Sequence, residues 1–190
     1  AAAGAMAPPA VAGQVAPPAT VGPVAGLMGV HKFDQPWNEM VTVRDHFRLQ
    51  YEEVVKLVRA LSGEIGKASL LQMIQTASEE RALVVGDSLG QQAPANDFSS
   101  FVACFRDPGF QQVMTMQVVE DTPAAFAVQI SECLWASTFR DLDAADIGYA
   151  YQCHADYSWA QGWNPGIRLT RTQTLMQGHA FCNHRYTWEG

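Results

Sequence analysis

The spacing of apolar residues changes near residue 113, and this change restricts the possible fold more than any other feature. From Glu39 to Leu61 apolar residues recur at helical spacing opposite a charged face, and a second helical segment runs from about Ile65 to Val85. From Val113 to Val119 and from Ala125 to Ser131 the pattern instead indicates strand, turn and strand. The chain must therefore combine helices with at least one β-hairpin.

Capping and turn residues place the boundaries of the first elements. Asn38 is a candidate cap for the first helix, and Ser62-Gly63 is expected to end it. Gly86 is expected to end the second helix. Asp97 predicts a short helix that reaches Cys104, and Asp107-Pro108-Gly109 predicts a turn.

After the first hairpin the sequence predicts two more helices and a second hairpin. The helices are Glu132 to Leu142 and Asp143 to Tyr157, the latter capped by Asp143. The strands are Ile167 to Met176 and Ala180 to Trp188, with Gln177-Gly178-His179 at the bend. This order predicts an α+β fold with a helical N-terminal half and helices packed on an antiparallel sheet of two β-hairpins.

The composition excludes several classes of protein. The 190 residues are 48% hydrophobic and 16% charged, which favours a globular chain, and we expect one α+β domain over residues 30–190. The net charge of -7 argues against nucleic acid or an anionic membrane as the main partner. No apolar run reaches the roughly 20 residues of a transmembrane helix. The four cysteines form neither a disulfide framework nor the pairs of a zinc ribbon.

Residues 1–29 carry no charge and consist almost entirely of Ala, Gly, Pro, Val and Met. One interpretation is an extended arm without a core of its own, which would contact a protein partner or a second copy of the chain. The other is the remnant of an export signal, since Ala10-Val11-Ala12 has the small residues of a cleavage site. The second interpretation favours a periplasmic or exported location over a cytoplasmic one.

Nucleophiles and acid–base groups concentrate in residues 153–188. Cys153 and Asp156 are three positions apart, so they share a face of the predicted helix. Cys182 and His184 alternate along the predicted last strand and share one of its faces. These thiols and the imidazole are candidates for nucleophilic catalysis or for binding a metal ion, whereas buried packing is the alternative for both cysteines.

Arginines in the same region are candidates for binding a substrate carboxylate. Arg168 and Arg171 lie on the strand before the bend, and Arg185 follows the last histidine. The alternative for these arginines is that they occupy solvated positions on the protein surface and bind no substrate. Glu132 and Cys133 stand before the third major helix, where the carboxylate would either stabilise the helix N-terminus or act as a general base.

Taken in order, these segments resemble the L-2-amino-thiazoline-4-carboxylic acid hydrolase family. The resemblance covers about residues 128–186 and is carried by Glu132-Cys133-Leu134, Cys153-x-x-Asp156, Asn164-Pro165-Gly166-Ile167, Arg171-Thr-x-Thr-Leu175, Gly178 and Cys182-x-His184-Arg185. It implies hydrolytic opening of a small cyclic C=N or amide-like bond in a carboxylate-bearing substrate, as when a thiazoline is opened to a carbamoyl-cysteine. His179 and the apolar N-terminal arm depart from the family pattern.

A cofactor-free mechanism follows from this resemblance. The thiolate of Cys153 or Cys182 would attack the electrophilic ring carbon, and His184 or Asp156 would move the proton. Arg168 or Arg185 would then hold the substrate carboxylate.

Two alternatives remain open. In one, Cys133, Cys153, Cys182 and a histidine bind a zinc-type metal ion that activates water. In the other, the protein is not catalytic and serves as an accessory or small-ligand-binding subunit of a larger complex, with residues 1–29 contacting the partner.

Overall fold

Helices occupy the first part of the described chain, which comprises residues 41–190 in this computed structural model. The amphipathic pattern of the first half folds into two long helices, and two short helices follow before the sheet begins. Their bounds are Val43–Ile65 for α1, Lys67–Gln92 for α2, Phe98–Cys104 for α3 and Pro108–Val113 for α4.

Side-chain caps determine where three of these helices begin. Thr42 caps α1 and Asp97 caps α3, each accepting the backbone N–H three positions later. Asp97 is therefore confirmed as a cap. Asp107 was expected to open a turn, but its carboxylate accepts a backbone N–H at 2.7 Å and starts α4. Asn38 and residues 1–29 lie outside the described residues.

The sheet has four strands in the order β1-β2-β4-β3, and every neighbouring pair is antiparallel. Strands β2 and β4 are the inner strands, and β2 has the larger number of buried residues. The bounds are Met114–Thr122 for β1, Ala125–Cys133 for β2, Ile167–Thr170 for β3 and Cys182–Trp188 for β4. Two antiparallel pairs joined through β2 and β4, with helices before and between them, confirm the predicted α+β fold.

A series of short helices connects the two halves of the sheet. It comprises α5 at Leu134–Asp141, α6 at Ala145–Gly148, a π-helical turn at Tyr149–Cys153, α7 at Asp156–Trp163 and, after β3, a 3-10 turn at Leu175–Gln177. Glu132 and Cys133 belong to β2 instead of the helix that was predicted to include them. The helix predicted from Asp143 to Tyr157 starts only at Ala145, because Asp143 adopts a left-handed conformation (φ 52°), and the π-helical turn then interrupts it.

Two hydrophobic clusters form the core. One packs α3 and α7 on the sheet around Phe101, Phe126 and Tyr186. The other joins α1, α5 and the 3-10 turn and includes Tyr51 and Phe139. The side chains of Cys133 and Leu175 pack against both clusters. The border between the clusters is therefore at the end of β2 and the 3-10 turn.

Glycines explain why both long helices extend beyond their predicted ends. Helix α1 passes Ser62-Gly63 and stops at Gly66, whose φ of 89° is incompatible with helix continuation. Helix α2 passes Gly86 because this glycine allows close contact with α7. A Cβ atom at Gly86 would lie 2.3 Å from the carbonyl oxygen of Trp159, and Gly162 is equally close to the backbone of α2.

The predicted strand from Ile167 to Met176 is too long. The strand ends at Thr170, and the following residues leave the sheet before the 3-10 turn. The side chain of Asn183 replaces the missing pairing, because its Oδ1 accepts the backbone N–H groups of Thr172 and Gln173 at 3.0 and 2.9 Å. Arg171 is therefore free to turn inwards.

Residues Thr42–Gly190 form one compact unit. The prediction of a single domain from residue 30 onwards is untested for the residues before this unit. Within residues 41–190 we find no helix with the length and apolar character needed to cross a membrane.

The contact between α2 and α7 predicts a specific effect on stability. Gly86→Ala should destabilise the protein by about 1–3 kcal/mol, because the added methyl group overlaps the backbone of α7. Gly63→Ala is the matched control, since a Cβ at Gly63 meets no atom within 4 Å. It should be neutral or stabilising by up to about 1 kcal/mol, as alanine is the better helix former. Urea unfolding of both variants checks this, and equal changes would contradict the packing argument.

Candidate active site

Arg171 lies at the centre of the cluster that contains most of the candidate residues. Its side chain is only 1% exposed. Nη1 donates to Oδ2 of Asp156 at 2.6 Å, and Nη2 donates to the carbonyl oxygen of Cys153 at 2.9 Å. The guanidinium carbon lies 5.1 Å from the ring centre of Tyr157 and 5.8 Å from that of Tyr149. This buried cation is therefore held by a carboxylate, a carbonyl and two aromatic rings.

Arg171 also determines the state of His184. Nη1 lies 3.3 Å from Nε2 of His184, and a guanidinium can only donate, so Nε2 must be the acceptor. The ring proton is then on Nδ1, which donates to the hydroxyl of Tyr186 at 3.2 Å. Burial lowers the pKa of His184 to about 3, and the charge of Arg171 adds to this effect. The imidazole is therefore neutral at physiological pH and cannot readily accept a proton.

Asp156 has the opposite character. It is the first residue of α7, and 30% of its side chain is exposed although protein atoms crowd its carboxylate. This burial raises the pKa of Asp156 to about 6, while Arg171 and His154 oppose the shift. The carboxylate is ionised near neutral pH, but it is a stronger base than an ordinary aspartate. These properties suit a general base.

Three thiols surround this polar cluster. Cys133 ends β2, Cys153 ends the π-helical turn, and Cys182 starts β4, where its sulfur accepts the N–H of Leu175 at 3.2 Å. All four cysteines of the chain are free.

Burial raises the pKa of each of these thiols. The pKa of Cys133 rises to about 11, although the N–H groups of Ala136 and Trp135 oppose the shift without making a cap hydrogen bond of normal geometry. The pKa of Cys182 is raised and that of Cys153 is well above its ordinary value, in both cases with a further contribution from the charge of Asp156. The thiols are therefore protonated at neutral pH, unlike typical catalytic cysteines.

The π-helical turn brings Cys153 and Asp156 to this cluster. The N–H of His154 donates to the carbonyl of Tyr149, five positions earlier, at 2.9 Å. The turn lies between α6 and α7 and presents the carbonyl of Cys153 to Arg171. A single regular helix, as predicted from the sequence, would not contain this feature.

Three of the predicted site residues lie elsewhere. Glu132 is exposed on β2 and accepts the hydroxyl of Thr115. Arg185 alternates with the buried His184 and points to the other face of the sheet. There it binds Glu120 through two hydrogen bonds of 2.7 and 3.0 Å.

Arg168 likewise points away from the cluster. Its Nε lies 3.4 Å from Glu189, and its guanidinium donates to the carbonyl of Pro165. Among residues 41–190 no group of three or more His, Cys, Asp or Glu side chains could hold a metal ion. The structure therefore brings together Cys133, Cys153, Asp156, Arg171, Cys182 and His184.

An open groove of about 610 Å³ lies beside the cluster. Asp156 and the three thiols do not line it, but Tyr149 lines the groove and also contacts Arg171. Arg140 and Gln75 contribute polar groups to its wall. The groove lies between α2, α5, α6, the π-helical turn and the 3-10 turn, and its lining is Leu71, Gln75, Arg140, Ala145, Asp146, Tyr149, Ala150, Met176, Gln177 and Gly178.

Sequence reasoning missed several residues around this cluster. Tyr149 and Tyr157 stand four positions before and after Cys153, so their shared helix face was a usable signal. His154 pairs with Glu79 of α2, and their separation of 75 positions leaves no local signal for this contact.

A comparison with known families identifies the class of protein. The profile of the L-2-amino-thiazoline-4-carboxylic acid hydrolase family matches residues 46–186, which is most of the chain and extends from α1 to β4. The chain belongs to this family, and the match supports a hydrolase-like function in general. It confirms the resemblance seen in the C-terminal segments and extends it into the helical half. A comparison with individually curated proteins gave no match.

The buried ion pair predicts different costs for removing two arginines. Arg171→Gln leaves the carboxylate of Asp156 in a crowded site without its cation, so it should cost about 3 kcal/mol of stability. Arg168→Gln removes an exposed pair and should cost less than about 1 kcal/mol. Urea unfolding at pH 7 compares the two, and similar losses would contradict the central role of Arg171.

The hydrogen bonds of His184 predict its behaviour in solution. Because its pKa is lowered to about 3, its ring signals should not move between pH 5 and 8. The nitrogen shifts should show a proton on Nδ1 and none on Nε2. Nuclear magnetic resonance checks both points, with His184→Gln used to assign the signals. A titration near neutral pH would show that Arg171 does not donate to this ring.

Proposed function

We propose that the protein hydrolyses a small cyclic C=N or amide-like bond in a carboxylate-bearing substrate of the thiazoline-carboxylate type. The observation that supports this most directly is the state of Asp156. Its carboxylate is ionised at neutral pH, has a pKa raised to about 6 and is partly open to solvent. A base with these properties can take a proton from water as the water attacks an electrophilic carbon.

The proposed reaction consumes one water molecule. Asp156 removes a proton from the water, whose oxygen forms a bond to the ring carbon, and the electron pair of the C=N bond moves to the ring nitrogen. The nitrogen takes up a proton. The added hydroxyl then loses its proton and becomes the carbonyl as the bond from the same carbon to the other ring heteroatom breaks, and this leaving atom takes up a proton. The two protons taken up by the nitrogen and the leaving atom therefore equal the two that the water molecule supplies. The product is an open-chain carbamoyl derivative that keeps its carboxylate.

In this proposal the thiols form the wall of the site and are not its nucleophile. A thiolate attack by Cys153 or Cys182 would first require removal of a proton that burial stabilises. The only base close to the cluster with a raised pKa is Asp156, and its negative charge further disfavours a neighbouring thiolate. Direct activation of water avoids this cost.

The substrate carboxylate requires a cation that is accessible. Arg171 is buried and already bound to Asp156 and to a carbonyl oxygen, so it cannot also bind a substrate. Arg140 lines the groove and is exposed, and its only hydrogen bond within the described residues is a long one of 3.3 Å to the carbonyl of Leu175. We assign the substrate carboxylate to Arg140.

The test is ring opening of 2-amino-thiazoline-4-carboxylate by the purified chain. Asp156→Asn should lower kcat/KM by about 10²–10⁴-fold, because the general base is lost. For the wild type, kcat/KM should rise as the pH increases through about 6, since only the ionised carboxylate accepts a proton. Arg140→Gln should mainly raise KM.

Cysteine variants provide the control. Cys153→Ser should keep most of the activity, as should Cys104→Ser, whose thiol lies outside the cluster. If Cys153→Ser were inactive and Asp156→Asn active, the result would contradict water activation and would indicate attack by the thiolate of Cys153. A folded wild-type protein that opens no such ring would overturn the proposal.

A further inference from the structure

We infer that His154, oriented by Glu79, is the general acid of this site and donates the proton that the ring nitrogen takes up. This inference rests on the proposed function and adds a second catalytic residue to it. It also assigns a role to helix α2, which carries Glu79.

A carboxylate of α2 fixes the imidazole of His154. Nε2 of His154 lies 2.5 Å from Oε1 of Glu79. An ionised carboxylate can only accept, so Nε2 carries the hydrogen. The amide nitrogen of Gln75 lies 2.6 Å from the same ring nitrogen and donates to Oε1 of Glu79 at 3.5 Å, so it helps to hold this carboxylate. A histidine held by a carboxylate in this way has a defined orientation.

The other nitrogen of His154 is available for a substrate. Within residues 41–190 its Nδ1 makes no hydrogen bond, and 26% of the side chain is exposed. The ring stands between Tyr149 and Tyr157, with ring centres 6.1 and 5.8 Å away. The same two tyrosines flank the guanidinium of Arg171. His154 is therefore adjacent to the ion pair that holds Asp156.

The groove gives a second, independent reason to place His154 at the site. Gln75 and Tyr149 line the groove, and both contact His154. His154 is also close enough to Asp156 for its charge to lower the pKa of that carboxyl group. His154 thus lies between the groove, where a substrate carboxylate would bind, and the proposed base.

The chemistry needs an acid, and among residues 41–190 the other histidine of the cluster, His184, cannot supply it. The Nε2 of His184 already accepts from Arg171, and its Nδ1 donates to Tyr186. Protonated His154 would donate from Nδ1 to the ring nitrogen while Asp156 takes a proton from water. Asp156 then passes its proton to the leaving atom, while the added hydroxyl becomes the carbonyl and releases the proton that restores His154. The sum is one water added and one ring bond broken.

Three variants of the full-length chain test this inference with 2-amino-thiazoline-4-carboxylate as substrate. His154→Gln should lower kcat by about 10²-fold or more, because the general acid is lost. Glu79→Gln should lower it by about 10–100-fold through loss of orientation. Glu80→Gln is the matched control, since this neighbouring carboxylate of α2 is exposed, and it should leave kcat unchanged.

The pH profile separates catalysis from a purely structural role. The wild type should show a bell-shaped profile, with an acidic limb from Asp156 and an alkaline limb because an essential general acid must carry its proton. Other groups that face His154 are Glu79 from α2, Tyr149 from the π-helical turn and Tyr157 from α7. His154→Gln should lose the alkaline limb and keep the acidic one. A general loss of folding would lower both limbs together and would show as a lower melting temperature.

The outcomes distinguish this inference from the proposed function. An inactive Asp156→Asn variant together with a His154→Gln variant of wild-type kcat and pH profile would overturn the inference alone. A drop in His154→Gln without loss of the alkaline limb would also overturn it, because the histidine would then be structural. Absence of ring opening by the wild type would overturn both.

Discussion

The ion pair between Arg171 and Asp156 is the interaction on which the site depends. Arg171, whose side chain is 1% exposed, is stabilised in this buried position by Asp156, the carbonyl of Cys153 and His184, and these partners come from different parts of the chain. The carbonyl of Cys153 comes from the π-helical turn, Asp156 comes from α7, and His184 comes from β4. The early end of β3 at Thr170 is part of the same arrangement, since the next residue must leave the sheet to reach them.

Burial and this guanidinium together explain why two neighbouring acid–base groups have such different pKa values. Burial favours the neutral form of both Asp156 and His184, so it raises the pKa of the first and lowers that of the second. The positive charge opposes the first shift and reinforces the second. The result is an ionised but basic carboxylate beside a neutral histidine whose proton position is fixed. This division of roles leaves proton donation to a group outside the ion pair, for which His154 is placed.

Local patterns in the sequence predicted most of the elements and selected six residues that the structure brings together, but they did not predict the contacts between distant segments. The alternation of Cys182 and His184 and the spacing of Cys153 and Asp156 placed these residues on the faces where the structure has them. Arg168 and Arg185 were chosen for their chemistry, yet each pairs with a glutamate outside the cluster, and no local rule reveals such partners. The π-helical turn was missed because it comprises only five residues, which is too few to reveal the shift that one extra residue makes in the hydrophobic period.

The helical half of the chain contributes to the site itself, in addition to supporting the sheet. Helix α2 contacts α7 through Gly86, and Glu79 is seven positions earlier, which is about two turns along the same face. The close approach that this glycine permits therefore sets the distance between Glu79 and His154 as well as the packing of α2. A larger residue at Gly86 would move the carboxylate away from the imidazole even if the sheet and the ion pair were unchanged. The family match begins in α1, which fits a site that requires both halves of the chain.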